Sequence, residues 1–192
     1  MDTTSGQLRG YRERSGFVHT FYSFKGVPYA EPPIGELRFR APRPHRGWSD
    51  VRNANKHGNA CPTNGFLGFV AGGHEDCLFL NVYTPDVNGS LAVMVWLHGG
   101  GYLLGDGNTL VYGPDLLMRE NIVVVTLNSR LGALGFLSTG DKYAQGNYAL
   151  KDAVLALQWI QNNIASFGGD PSKVTLAGQS AGDDIKYTSW NS

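Results

Sequence analysis

Gly178-Gln179-Ser180-Ala181-Gly182 follows the short apolar run Val174-Thr-Leu-Ala177. Gly-x-Ser-x-Gly at the end of a strand is the pattern of a nucleophile elbow, in which strand turns sharply into helix and holds a serine hydroxyl exposed in a strained conformation. The chemistry accounts for the glycines. Strand and helix pass so close that a side chain two residues either side of the serine would collide. A serine hydroxyl is a poor nucleophile at neutral pH, and it needs a general base that is itself held by a carboxylate. The tetrahedral oxyanion that follows attack needs preorganised donors, each worth roughly 2.7–4 kcal/mol of barrier. His98-Gly99-Gly100-Gly101, at the end of a second apolar run, supplies backbone N–H groups of that kind, and Ala181 supplies another.

Positioning such a site takes a sheet with helices on it, and the rest of the chain provides the elements. Ala92-Val-Met-Val-Trp-Leu97 is apolar throughout, as a strand covered on both faces is, and Ile122-Val-Val-Val-Thr-Leu127 reads as a second buried strand. Leu78 to Tyr83 alternates as a strand. A short helix is expected from Pro114 to Glu120. Residues 149–165 carry helical spacing at Leu150, Val154, Leu157, Ile160 or Gln161, and Ile164, with Gly168-Gly169 as the stop. Lys173 to Ala177 is the third buried strand. The alternation of strand and helix predicts a mainly parallel sheet flanked by helices. Gly6 to Gly10 and Phe17 to Phe24 predict a small antiparallel unit. The prolines at 28, 32, 33, 42 and 44 exclude a helix or inner strand there and predict an extended wrap pinned by Tyr29, Phe39 and Trp48.

Composition bounds the function. Sixteen basic and sixteen acidic residues cancel in a chain of 192, so nothing points to nucleic acid or an anionic membrane surface. No apolar run approaches the roughly 20 residues of a membrane span, and residues 1–25 lack the succession of a signal peptide. The length suits one domain with a sizeable core.

Five stretches, in order, resemble the type-B carboxylesterases, which include cholinesterases and insect juvenile hormone esterases. They are Phe24-Lys-Gly-Val-Pro-Tyr-Ala-Glu-Pro-Pro33, Glu75-Asp-Cys-Leu-Phe-Leu-Asn-Val-Tyr83, Trp96-Leu-His-Gly-Gly-Gly101, Gly132-Ala-Leu-Gly-Phe136, and Phe167-Gly-Gly-Asp-Pro171 running into the elbow. The resemblance implies an α/β-hydrolase fold and hydrolysis of small-molecule carboxylic esters through an acyl-serine intermediate, without a cofactor. It makes Ser180 the nucleophile and the N–H groups of Gly100, Gly101 and Ala181 the oxyanion donors. It pairs Cys61 with Cys77, Arg38 with Glu75 and Arg130 with Asp170. The competing reading of the cysteines is zinc, because His57-x3-Cys61 and His74-x2-Cys77 mimic ligand spacing; the resemblance accounts for both cysteines and neither histidine. The family is secreted, and on export Asn88-Gly-Ser90 becomes a glycosylation sequon.

Two parts of the machinery have no match. In this fold the acid and then the histidine follow the serine by a long way. All five histidines (19, 45, 57, 74 and 98) precede the elbow, and Asp183 to Ser192 departs from the family pattern. Residues 1–182 are thus expected to be the N-terminal part of a single α/β-hydrolase domain, truncated after the elbow, with 183–192 an unrelated tail. Such a chain would be inactive as given. Its central strand, left at an edge, predicts aggregation or a partly molten state. The alternatives are a non-catalytic relative, like the neuroligins, used for adhesion or ligand sequestration, and a truncated by-product without activity. Gln179 replaces the glutamate of cholinesterases, and Phe66 and Phe69 stand where those enzymes carry a tryptophan, which argues against choline esters.

Overall fold

A computed structural model describes residues 1–14, 20–63 and 71–190, the last five by backbone alone. The N-terminal strands are β1 (Asp2–Thr3), β2 (Gly6–Arg9), β3 (Tyr11–Arg14), β4 (Thr20–Pro28) and β5 (Arg52–Asn53). Next come β6 (Phe79–Thr84), β7 (Leu91–Leu97) and β8 (Val123–Leu127). The helices α1 (Gly132–Phe136) and α2 (Tyr148–Asn163), strand β9 (Gly169–Gly178) and helix α3 (Ala181–Trp190) complete the order. Six strands form one sheet in the order β3-β4-β6-β8-β7-β9, and β1, β2 and β5 form a small second one.

The main sheet is mixed rather than mainly parallel. β7 runs parallel to β8 and β9, whereas β3, β4, β6 and β8 pair antiparallel in turn. Hairpin-like neighbours at the N-terminal side need no crossover helix, so only the second half is built from α/β crossovers. The expected small antiparallel unit also differs. Gly6–Arg9 pairs with β1 and β5, and the strand facing β4 is Tyr11–Arg14, in the polar stretch between the two expected runs. Phe17 to His19 lies outside the described residues. The proline-rich wrap is as expected only in part: Pro28 still belongs to the inner strand β4 and Gly35–Leu37 forms a 3-10 turn, while Tyr29 is buried as expected, its hydroxyl donating to the Asn128 carbonyl at 2.7 Å. From Pro114 to Glu120 only Leu117–Glu120 is helical, as a single 3-10 turn.

Burial also departs from the pattern in four elements. Lys173 to Ala177, expected as a buried strand, has Lys173 and Thr175 exposed and only Leu176 buried, because β9 lies at the edge of the sheet. β6 is buried at every position despite its alternation, because it lies inside the sheet between β4 and β8. β7 is buried on one face only: Val93, Val95 and Leu97 are in the core, while Met94 and Trp96 are half-buried and Ala92 is exposed. In α2 the most buried face is not the leucine stripe. Ala149, Asp152, Ala153, Ala156, Ile160 and Asn163 are buried, whereas Leu150, Val154 and Leu157 are only half-buried, Leu150 and Leu157 still packing against the core. The small alanines leave room on this face for the buried Asp152 carboxylate and its arginine partner.

Asp152, on the alanine face, makes the main polar contact of this layer. Its carboxylate accepts from Arg130 Nε at 2.8 Å, Nη2 at 2.6 Å and the Arg130 backbone N–H at 3.1 Å, and the arginine Nη1 also donates to the Arg40 carbonyl at 2.8 Å. Both side chains are buried. The expected pairing of Arg130 with Asp170 is therefore wrong. Asp170 sits at the surface start of β9 and pairs with Lys173 at 2.9 Å, while Arg130, at the end of β8, points under α2. The Arg38–Glu75 pair does form, with two parallel bonds of 2.6 and 2.7 Å.

Two outcomes follow from this architecture. Asp152→Ala leaves a buried guanidinium without its counter-charge and is expected to cost about 3–5 kcal/mol, read as a lowered urea midpoint at unchanged slope; a midpoint within error of the parent would overturn this. β9 is bonded to β7 and to no further strand among the described residues, and Thr175, midway along it, is exposed. Such an edge templates pairing with another chain. We expect concentration-dependent self-association in sedimentation velocity, weakened up to about fivefold by Thr175→Lys, since facing like charges cost up to ~1 kcal/mol. Equal association by both chains would place the contact elsewhere.

Candidate active site

The site begins where β9 ends. Ser180 has φ 54, in the left-handed region that a non-glycine residue rarely occupies, and it is exposed at the turn into α3. The turn is held against the end of β7, with Gln179 N–H donating to the Leu97 carbonyl at 3.3 Å. A Cβ on Gly182 would lie 2.2 Å from that same carbonyl oxygen, and one on Gly178 would lie 2.5 Å from the Gly182 carbonyl carbon. Glycine is thus enforced at both flanks by backbone on backbone.

The loop after β7 packs onto this turn. A Cβ on Gly99 would meet the Gln179 carbonyl at 2.8 Å, and one on Gly100 the Leu104 carbonyl at 2.0 Å, with Gly100 at φ 124 and Gly101 at φ 60. Among the described residues, no acceptor takes the N–H of Gly100 or Gly101. Ala181 opens α3, where the first N–H groups have no partner within the helix. His98 is buried beneath the loop, its Nδ1–H donating to the Gly99 carbonyl at 2.8 Å, and burial lowers its tendency to ionise.

Ser180, Gly100 and Gly101 border a cavity of about 550 Å³. Leu104, Leu110, Val111 and Tyr112 form one wall, and Cys61 and Gly73 the opposite rim. Tyr112 closes onto the elbow: its hydroxyl donates to Gln179 Oε1 at 3.1 Å and its ring lies 5.5 Å from Trp96. Cys61 and Cys77 are joined by a disulfide, which removes both thiolates from any zinc site. Thr63 and Gly72 pair across the neck of the enclosed loop; Phe66 and Phe69 lie outside the described residues.

No histidine reaches the serine among the described residues. Gly47 N–H donates to His45 Nδ1, Asp76 N–H donates to His74 Nδ1, His57 bonds Asn81 and Thr109, and His98 is turned to Gly99. His19 lies outside them. The structure therefore brings Ser180 together with the Gly100-Gly101 loop and Ala181, and it leaves the histidines apart. Asn88 is exposed in the turn between β6 and β7. Sequence reasoning missed the residues that hold the walls, chiefly Asn81, Thr109, Tyr112 and Asn128. The polar triplet Asn128-Ser129-Arg130 directly after an expected buried strand was a usable signal for one of them.

Comparison with known proteins agrees with this geometry. The model of the carboxylesterase family matches residues 1–185. Liver carboxylesterase 1 of Oryctolagus cuniculus is 43% identical over 199 residues, covering 95% of this chain and 35% of the relative. Juvenile hormone esterase of Tribolium castaneum is 45% identical over 184 residues, covering 94% and 31%. The crystal structure of juvenile hormone esterase from Manduca sexta with OTFP covalently attached superposes with a TM-score of 0.89 at 39% identity, over 95% of this chain and 36% of that one. The chain thus spans about a third of the length of these relatives. The fold is that of the α/β-hydrolases, and the chain belongs to the carboxylesterase family.

Proposed function

We propose that this chain carries the nucleophile and oxyanion loop of a carboxylic ester hydrolase. The observation that carries the reading is Ser180, held at φ 54 beside a cavity that the Gly100-Gly101 loop also borders. Ser180 Oγ would add to the ester carbonyl carbon, and the N–H groups of Gly100, Gly101 and Ala181 would take the charge on the carbonyl oxygen. Collapse expels the alcohol, which takes up the serine proton, and water then cleaves the acyl-serine to carboxylic acid and free serine. The Manduca sexta enzyme's covalent OTFP is in keeping with a covalent route. The lining of the cavity suits a small uncharged ester; among the described residues that border it, Asp106 is the one carboxylate and no lysine, arginine or histidine is present.

The proton transfers need a base, and no described histidine faces Ser180. In this reading the acid and histidine of the triad are not among these residues, and residues 1–182 are part of one hydrolase domain; the family match runs three residues further, to 185, before the tail. The absence of a facing histidine also favours a second reading, in which the cavity holds a ligand without turning it over. Two measurements separate them. The 192-residue chain is expected to hydrolyse a nitrophenyl ester no faster than its Ser180→Ala variant, since loss of the base costs about as much as loss of the whole triad. Residues 1–182 joined to the remaining length of rabbit liver carboxylesterase 1 should hydrolyse it, with roughly 10⁴-fold or greater loss on Ser180→Ala. A chimera that melts cooperatively yet is inert would sink the hydrolase reading.

The disulfide supports an oxidising compartment, and with it export and glycosylation of Asn88 in the exposed turn. Peptide mapping of secreted protein without reductant should recover Cys61 linked to Cys77, and reduction should lower stability by about 3 kcal/mol. Two free thiols in the secreted protein would contradict the proposal.

A further inference from the structure

The cavity wall that faces Ser180 is pinned at two points. Tyr112 is held by Gln179, as described, and Thr109 by His57. Between them Leu110 and Val111 are 96% and 70% exposed, so this stretch gains little from apolar packing and depends on its anchors.

The bonds around His57 fix its protonation state. Gly26 N–H donates to Asn81 Oδ1 at 2.9 Å, while Asn81 Nδ2 donates to the Gly107 carbonyl at 3.1 Å and to Thr126 Oγ1 at 3.0 Å. A backbone donor on one side and a backbone acceptor on the other leave one orientation for the amide. Oδ1 therefore offers only lone pairs, and His57 Nδ1, 3.1 Å away, must carry the hydrogen. That leaves Nε2 bare, and it accepts from Thr109 Oγ1–H at 3.0 Å and from Thr109 N–H at 3.4 Å. Adding a proton to Nε2 would set donor against donor at the Thr109 amide.

We propose that His57 is a positioning residue for the substrate pocket, its neutral Nδ1–H form tying Thr109, and with it the Leu110–Val111 wall, to Asn81 in the central sheet. The proposal rests on the hydrolase reading only for what the pocket holds; the clasp is measured with no ester present.

The clasp is sensitive to pH, with a defined sign. The charged groups around the ring are Lys25 on β4, which disfavours a second positive charge, and Glu13 on β3 and Asp106 in the wall loop, which favour it. Glu13 is already paired with Lys25 at 2.6 Å. Burial outweighs them and holds His57 below the ordinary histidine value. A depressed value means that the clasped state binds the proton less readily than the open one. The clasp is at full strength above the ordinary value of about 6.5 and is lost as pH falls through the lowered one.

The test is NMR and amide exchange on the full chain at low micromolar concentration, at pH 7.5 and pH 5. Long-range ¹H–¹⁵N spectra should show His57 protonated at Nδ1 and bare at Nε2 at pH 7.5. After correction for intrinsic chemistry, protection of the Thr109 amide, and of the Tyr112 amide that bonds the Asn108 carbonyl, should fall roughly three- to tenfold at pH 5, the protection that one hydrogen bond confers, while amides in β7 and β8 keep theirs. His57→Phe should show the pH 5 behaviour at both values, and His57→Gln, which keeps an acceptor, should restore part of the protection. An Nε2–H tautomer at pH 7.5, equal protection at both pH values, or full protection in His57→Phe would each overturn the proposal. If His57→Phe fails to fold by circular dichroism, the parent titration decides alone. An inert chimera in the ester assay would leave all these readings unchanged.

Discussion

Three backbones meet where β7, β9 and α3 converge, and no side chain fits between them. The Leu97 carbonyl lies against Gly182, and Gln179 against Gly99. Because β7 runs parallel to both β8 and β9, their C-terminal ends reach the same border of the sheet, where α/β folds place their ligands. The loop after β7, the Asn128 corner after β8 and the turn after β9 are therefore neighbours by topology. The contact between glycines then sets their spacing. The left-handed Ser180 follows from the same geometry, since the chain must reverse within the residues that separate Gly178 from Gly182.

Around that junction the loops are held by buried polar side chains more than by apolar ones. Asn128 Oδ1 accepts from Gly107 N–H at 2.8 Å, and its Nδ2 donates to the Asn59 and Cys77 carbonyls at 2.9 and 3.3 Å. Asn81 reaches three segments in the same manner. A hydrogen bond of this kind adds only about 1 kcal/mol net, but leaving its buried partner unmet costs up to about 3 kcal/mol. Such residues contribute specificity of position more than stability. They fix which loop conformation closes the cavity, while the valines of β7 and β8 supply the burial.

What was legible in the sequence was whatever one local rule decides. Gly-x-Ser-x-Gly, the triple glycine after Leu97 and the valine runs each have a single reading, and the structure has them where expected. The errors arose where tertiary context chooses between two local options. Leu150, Val154 and Leu157 form a good apolar stripe, yet the alanine stripe with Asp152 is the more buried, because the carboxylate meets Arg130 there. Tyr11–Arg14 is too polar to announce a strand, and it pairs only because β4 offers it an edge. Asp170 looks as ready a partner for Arg130 as Asp152 does, and only the direction in which Arg130 leaves β8 separates them. The roles of Asn81 and His57 are set by neighbours distant in sequence, so no short pattern contains them.

The covalent link between Cys61 and Cys77, together with the Thr63–Gly72 pairing inside it, isolates the rim of the cavity from the sheet. Loop-closure entropy grows only slowly with length, so a closed neck makes the enclosed segment thermodynamically cheap to lengthen, shorten or rewrite. Mutation can then explore new rims one after another while Asn128 keeps the base of the loop anchored to the end of β8. In evolutionary terms the pocket is modular. The border with Ser180 is made of glycines that neighbouring backbone keeps from changing, whereas the stretch of chain inside the disulfide can be exchanged without disturbing the junction of β7, β9 and α3.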